Sequence, residues 1–342
     1  MSTHPSEIDK YEIIRHLGSG HFGNVYLSND RALDQIKAIK VLDVPDPNNF
    51  MKELEEAQIL NKCRHKHIVE VNEANLYDVN SKLSVIIDME YIEGGSLESL
   101  MENQFISVIN GVEIVRDVLF GLEHAHTQGI LHRDIKPANI MLGKNTAKLS
   151  DFGLATSMNQ GKAGSPRGYI THLAPEYFTN ATTSIVTDIF AVGITLYRVV
   201  CNISDWRALI GTLPNPRYVI QRGKLISMLG YPPHVPSQIR RIINKACHIN
   251  PSQRYKSASD MRKAIDKLRP GIKWNFVNSQ KWEGSCCHTR TTHEISIETK
   301  RTGHHVITKK NGRKVTAECK FFSQQNEAEN YLHDVVSGSA YK

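Results

Sequence analysis

The chain lacks any hydrophobic run long enough to cross a bilayer. Its longest apolar stretch, Ile189 to Val200, covers about 12 residues and already contains Arg198, whereas a spanning helix needs about 20. That run predicts a buried core helix, and no membrane anchor is expected. The six cysteines (63, 201, 247, 286, 287 and 319) include no CxxC pair, which argues against a zinc site and a disulfide framework. The adjacent Cys286-Cys287 read as free thiols in a reducing compartment. The opening MSTHPSEIDK has no apolar core, so no signal peptide is expected there. Together these absences point to a cytoplasmic protein. Neither sign of charge is scarce: 42 Lys+Arg against 35 Asp+Glu give a net charge of +7. So moderate an excess allows a nucleic-acid partner, a basic surface for proteins or plain solubility. With 342 residues, 40% of them apolar, there is material for two or three domains.

The most informative string is His132-Arg133-Asp134-Ile135-Lys136-Pro137-Ala138-Asn139, with Asp151-Phe152-Gly153 following. At this spacing two carboxylates and an amide can meet around one phosphoryl-transfer centre. Asp134 would orient a hydroxyl nucleophile, and Asn139 and Asp151 would hold Mg²⁺ against nucleotide phosphates. Four other pieces follow the same order, and the stretch from about 11 to 270 resembles the eukaryotic-type (Hanks-type) protein kinases. Lys136 resembles their Ser/Thr-specific branch. The resemblance implies an α+β, bilobal fold, a β-rich N-lobe (about 11–92) ahead of a helical C-lobe (about 93–270), with residues 1–10 as a tail. It also implies ATP and Mg²⁺ as cofactors and proteins bearing Ser or Thr as substrates.

Tyr11 to Val25 reads as strand, glycine turn, strand. Gly18, Gly20 and Gly23 let backbone N–H groups approach phosphates without a Cβ in the way. A dinucleotide-binding fold also uses GxGxxG, but it expects a helix after the third glycine. Here Val25-Tyr26-Leu27 and Ala38-Ile39-Lys40-Val41-Leu42 are β-prone. The resemblance places Val25, Ala38 and Lys40 around the nucleotide, with Lys40 on its α and β phosphates. It pairs Lys40 with Glu56, in a helix expected from about Asn48 to Lys62, leaving Glu53 and Glu55 as a solvated face. Strands are expected near Val69–Leu76 and Leu83–Met89, then a hinge at which Glu90 and Ile92 meet adenine and Met89 guards the back of the pocket.

In the large lobe Val112 to Thr127 has a helical period. The resemblance gives Asp134 and Lys136 to catalysis, and leaves His132 and Phe152 to the core. It pairs Glu176 of Ala174-Pro175-Glu176 with Arg254, and lets Asp188 brace the catalytic loop. Gly168-Tyr169-Ile170-Thr171-His172-Leu173 departs from the family's pattern, with Tyr169 at the usual threonine and His172 at the usual tyrosine. The loop from 154 to 170 carries Thr156, Ser157, Ser165 and Tyr169, with Lys162 and Arg167 and no acidic residue. Beside Arg133 such a loop repels, and phosphate would supply the missing counter-charge. Autophosphorylation is the expectation, at Ser165, Thr156 or Thr171 ahead of Tyr169.

After a stop at Arg269-Pro270-Gly271 the character changes, and 271–342 reads as a small antiparallel-β-plus-helix module. Strands are expected at 274–276, 294–298, 305–308 and 315–318, an Asn-Gly hairpin turn at 310–313, and a closing helix from Gln325 to Val336. Eleven Lys+Arg face seven Asp+Glu there, partly as Lys309, Lys310, Arg313 and Lys314 at the hairpin tip. A docking partner or nucleic acid is one reading and a packing appendage the other, since few aromatics interleave the basic residues. Two rival functions remain for the whole chain. One is a small-molecule phosphotransferase of the aminoglycoside-kinase type, opposed by Ala174-Pro175-Glu176, Lys136 and the full glycine loop. The other is a pseudokinase scaffold, opposed by the complete set of phosphoryl-transfer residues.

Overall fold

The computed structural model describes residues 7–20, 23–44, 54–79, 82–153, 155–157 and 172–342, with the backbone alone described for Gly20, Glu56, Thr156, Ser157 and Asn180. The N-terminal lobe is one antiparallel sheet. Its strands β1 (Glu7–Ile8), β2 (Tyr11–Gly20), β3 (Gly23–Asp30), β4 (Gln35–Asp43), β5 (Val71–Val79) and β6 (Lys82–Glu90) run in the order β1-β2-β3-β4-β6-β5. Period-2 alternation decides what each face does. Ile39 and Val41 of β4 join Tyr11, Tyr26 and Ile86 in a small core on one face, which turns Ala38, Lys40 and Leu42 to the other. There Leu42 packs with Ala57, Ile59 and Leu60 of helix α1 (Glu55–Lys62). All neighbours are antiparallel, so the strand–helix–parallel-strand alternative for the glycine motif fails.

The second lobe is mostly helical. Helix α2 (Leu97–Asn103) starts at Ser96, whose hydroxyl accepts from the Ser99 amide, and α3 (Val108–Thr127) starts likewise at Ser107, which accepts from Asn110. These caps satisfy amides that the first turn leaves without partners, and Ser107 sets the α3 start four residues before the expected Val112. Short ribbons β7 (Ile130–Leu131), β8 (Ile140–Leu142), β9 (Ala147–Leu149) and β10 (Thr156–Ser157) follow, with β8 paired to β9 and β7 to β10. Then come α4 (Tyr177–Asn180), α5 (Ile185–Val200), α6 (Trp206–Gly211), α7 (Pro216–Gln221), α8 (Leu225–Leu229), α9 (Ser237–Ala246) and α10 (Ala258–Asp266). Every residue of α5 from Asp188 to Val200 is buried, which is why that helix is apolar on all sides. Among the described residues no helix is long and apolar enough to cross a membrane.

The C-terminal region is a second antiparallel sheet under one helix. Strands β11 (Ile272–Asn278), β12 (Lys281–Cys286), β13 (Thr292–Lys300), β14 (Gly303–Lys310) and β15 (Arg313–Lys314) are sequential neighbours, and β16 (Lys320–Phe322) returns to β14. Helix α11 (Gln325–Ala340) runs past the expected end at Val336. It buries Ala328, Leu332, Val336 and Ala340 with Trp274, Trp282, Ile295, Ile297 and Val306. The Asn-Gly turn is present, with φ of 49° at Asn311 and 75° at Gly312. The strand expected at 315–318 is not: Thr316–Glu318 is a 3-10 turn. Strand β14 pairs with both β15 and β16, and the turn carries the chain from one partnership to the other. The overall class is the α+β, two-lobed arrangement expected, plus this sheet-and-helix region.

The extra region does not hang free. Trp282 is 2% exposed, meets Phe105 edge-on at 5.4 Å and lies 5.2 Å from the ring of His234. Its core is continuous with that of the helical lobe. Burial pushes His234 down to about 4, against the opposing bond to the Val200 carbonyl. The unfolded chain therefore takes up a proton near pH 6.5 that the folded chain refuses until about pH 4. Acidification across that window is expected to remove about 3 kcal/mol of stability through this side chain. Urea unfolding at pH 7 and pH 5 measures the slope, which His234→Gln should flatten. Equal slopes for both proteins would refute the assignment.

Candidate active site

Residues distant in the chain meet where the two lobes face each other. Asp188, fully buried near the start of α5, is the anchor. Its Oδ2 accepts from the backbone amide of His132 and its Oδ1 from that of Arg133, both at 2.9 Å, and His126 Nε2 lies 2.9 Å from Oδ2. Burial works against its charge, but these donors outweigh that and hold the carboxyl below its ordinary range. Arg133 has φ of 70°, a conformation non-glycine residues adopt only when surroundings enforce it, and Asp188 is part of what enforces it. The rings of His132 and Phe152 meet at 4.5 Å, tilted by 57°, and both are buried. Burial lowers the imidazole's proton affinity, so both sit in the core as expected.

On that braced loop Asp134 is 7% exposed. Its Oδ2 accepts from Lys136 Nζ at 2.8 Å and from Asn139 Nδ2 at 3.0 Å. The same Asn139 amide donates to the Asp134 carbonyl at 2.8 Å, fixing the loop's internal geometry. Lys40, reaching down from β4, donates to Asp151 Oδ1 at 3.0 Å. Burial raises the Asp151 proton affinity, yet Lys40 foremost and Lys136 further away hold its carboxyl below the usual range. Lys40, Asp134, Lys136, Asn139 and Asp151 thus form one charged cluster.

Above it, Gly18 pairs with Val25 and Gly20 with Gly23 across β2 and β3, while Val25 lies opposite Lys40. Gly23 has φ of 127°, and a Cβ there would sit 2.2 Å from the Val41 carbonyl, so only glycine fits. The loop tip, His21-Phe22, lies outside the described residues. Ala38 pairs with Met89 on β6. Glu90 donates its amide to the Glu70 carbonyl at 3.0 Å, and its side chain is held by Lys148 and the Glu70 amide, contacts the sequence reading missed. Ile92 is buried. Glu56 lies on α1, but its side chain is outside the described residues, and so is its expected pairing with Lys40. The loop residues Lys162, Ser165, Arg167, Tyr169 and Thr171 also fall outside.

His172 is buried, and burial together with Arg198 and Lys136 keeps its imidazole well below its ordinary proton affinity. It meets Trp206 at 6.0 Å, over which Arg198 sits at 5.3 Å while donating to Glu98 from both terminal guanidinium nitrogens. That buried pair ties α2 to α5 and left no mark in any motif. Glu176 and Arg254 do meet, through two bonds of 2.7 Å.

The description "protein kinase domain" matches residues 11–264. The chain belongs to the protein kinase family. Among curated relatives this chain is 31% identical over 265 residues to "Serine/threonine-protein kinase PrkC" of Bacillus subtilis, covering 75% of this chain and 40% of that one. It is 30% identical over 283 residues to "Serine/threonine-protein kinase PknB" of Mycolicibacterium smegmatis, covering 79% and 45%. The chain spans less than half the length of these relatives, and residues 265–342 lie beyond the family match.

Proposed function

We propose that the chain is an ATP-dependent protein serine/threonine kinase. The observation that carries this is the Asp134 carboxylate, buried and bonded to Lys136 and Asn139 beside the Lys40–Asp151 pair. Asp134 takes the hydrogen bond of the acceptor hydroxyl and its proton as the phosphoryl group leaves ATP. Lys136 neutralises charge on that group, and Lys40 binds the α and β phosphates beneath Gly18, Gly20 and Gly23, with Glu56 as its partner. The Glu90 carbonyl and Ile92 amide serve adenine, an assignment supported by the Glu90 amide being engaged elsewhere. Val25 and Ala38 wall the base.

The Asp151 carboxylate and the Asn139 amide oxygen are hard oxygen donors of the kind Mg²⁺ selects. The Asn139 nitrogen is already committed to Asp134. Bound there, the ion supplies charge neutralisation to the phosphates. Asp151→Asn is expected to weaken ATP binding in Mg²⁺ by about 10-fold or more and to change little in EDTA. Calorimetry with and without metal checks this, and an unchanged affinity in Mg²⁺ would remove Asp151 from the metal site.

Lys136 and the resemblance to named serine/threonine kinases support Ser and Thr acceptors. Arg133, next to Asp134 in the sequence, and a 154–171 segment without acidic residues support autophosphorylation within that segment. The six cysteines are free thiols, which suits a cytoplasmic setting. At the module's hairpin Lys309 is paired with Glu294, so a docking partner or nucleic acid there would meet Lys310, Arg313 and Lys314. Incubation with labelled ATP and casein, followed by phosphoamino-acid analysis, tests the whole reading. Absence of phosphoserine and phosphothreonine would overturn it.

A further inference from the structure

Between Trp206 and Ser259 the chain carries nine Lys and Arg and not one Asp or Glu. Seven of these cations are exposed: Arg207, Arg217, Arg222, Lys224, Arg241, Lys245 and Lys256. Among the described residues none of the seven forms an ion pair. The same segment walls a groove of about 500 Å³ between α5, α8 and α9, lined by Phe190, Ile194, Ile220, Ile226, Tyr231 and Ile249 among others. Phe190 and Ile194 are buried at its floor, whereas Ile249 is 46% exposed and Met228, on α8, is 48% exposed. Arg222 and Lys224 flank the lining residue Gly223, and Lys245 follows the lining residue Asn244.

An apolar trough edged by uncompensated positive charge has a definite complement. We propose that this groove docks an acidic segment of a protein partner, whose apolar side chains seat against Ile249 and the half-buried Tyr231 over the buried floor while its carboxylates meet Arg222, Lys224 and Lys245. A bilayer is flat and cannot enter a concave trough, and a nucleic-acid backbone would leave the apolar floor unused. Desolvated apolar anchors with a charged rim are the usual division of labour in peptide recognition. The groove also touches the catalytic support. Phe190 stands two residues after Asp188, and its ring lies 4.9 Å beneath the Arg254 guanidinium, which holds Glu176. A docked partner is therefore positioned near the surface where an acceptor arrives. That consequence rests on the kinase reading, while the binding itself does not.

The test uses the full chain and a fluorescent peptide of about 12 residues alternating Leu or Phe with Glu, in an anisotropy titration. Two control peptides replace Glu by Lys, or Leu and Phe by Ser. The acidic apolar peptide should bind at least about 10-fold tighter than either control. Arg222→Glu with Lys224→Glu should weaken it by about 10-fold or more, as should Ile249→Ser. Joined by a Gly-Ser linker to a phosphoacceptor sequence, the peptide should lower KM by about 5-fold or more at unchanged kcat, and the charge-reversed variant should lose only that gain. Equal binding of the three peptides, or no effect of the charge reversal, overturns the proposal. So does preferential binding to phosphatidylglycerol vesicles or single-stranded DNA. If the peptide binds as expected but neither acceptor is phosphorylated, docking stands and the kinase reading falls. Should Ile249→Ser fold poorly, the charge-reversed pair carries the test alone.

Discussion

Asp134→Asn is expected to lower kcat by about 10³-fold or more while leaving the melting temperature within experimental scatter of wild type. The two effects separate because of what Asp134 touches. An amide of the same shape still offers an oxygen to Lys136 Nζ and Asn139 Nδ2, which are its partners at 2.8 and 3.0 Å. The loop is moreover held from below by Asp188 rather than by Asp134. What an amide cannot do is accept the hydroxyl proton or offer a full negative charge to the attacking oxygen. Steady-state phosphorylation of casein and a thermal melt on the same preparation decide the matter. A folded variant with near-wild-type turnover would remove Asp134 from the chemistry.

The largest effect on stability is expected at Arg254. Its side chain is fully buried and satisfies far more than Glu176. Besides two bonds of 2.7 Å to that carboxylate, it donates to the carbonyls of His248 and Val186. Arg254→Ala therefore strands a carboxylate and backbone acceptors together, at a cost of about 3–5 kcal/mol. Arg254→Met combined with Glu176→Leu should recover much of the loss, because an apolar pair leaves no buried charge unmatched. Urea midpoints of the three proteins test this. A cost below about 1 kcal/mol for the single variant would mean that solvent reaches the pair.

The legible parts were those in which chemistry dictates spacing. The proposed chemistry asks Asp134, Asn139 and Asp151 to reach one centre, so their separations show in the sequence; in the structure Asp134 bonds to Lys136 and Asn139, and Lys40 to Asp151. Asn311-Gly312 was legible because two successive positive φ values demand those residue types. Strand β12 was hidden because Gly284 interrupts its apolar face. The reason is a tight one: a Cβ at 284 would lie 2.8 Å from the Trp274 ring. Residues 315–318 look β-prone, but the double pairing of β14 overrides local preference. Glu98 and Arg198 stand 100 residues apart, and Phe105 and Trp282 further still. Contacts of that kind follow only from the finished packing.

The seal made by Trp282 on Phe105 and His234 has a consequence for the order of events during synthesis. A ribosome adding about 5–20 residues per second completes the helical lobe roughly 4–14 s before the last turn of α11 is made. Through that interval Phe105, Val108 and Ile109, which line the junction with Trp274 and Trp282, have no cover. The nascent lobe is then open to chaperone capture until the module is made. A product truncated before the module would carry every motif of the candidate site and still expose an apolar base open to proteolysis.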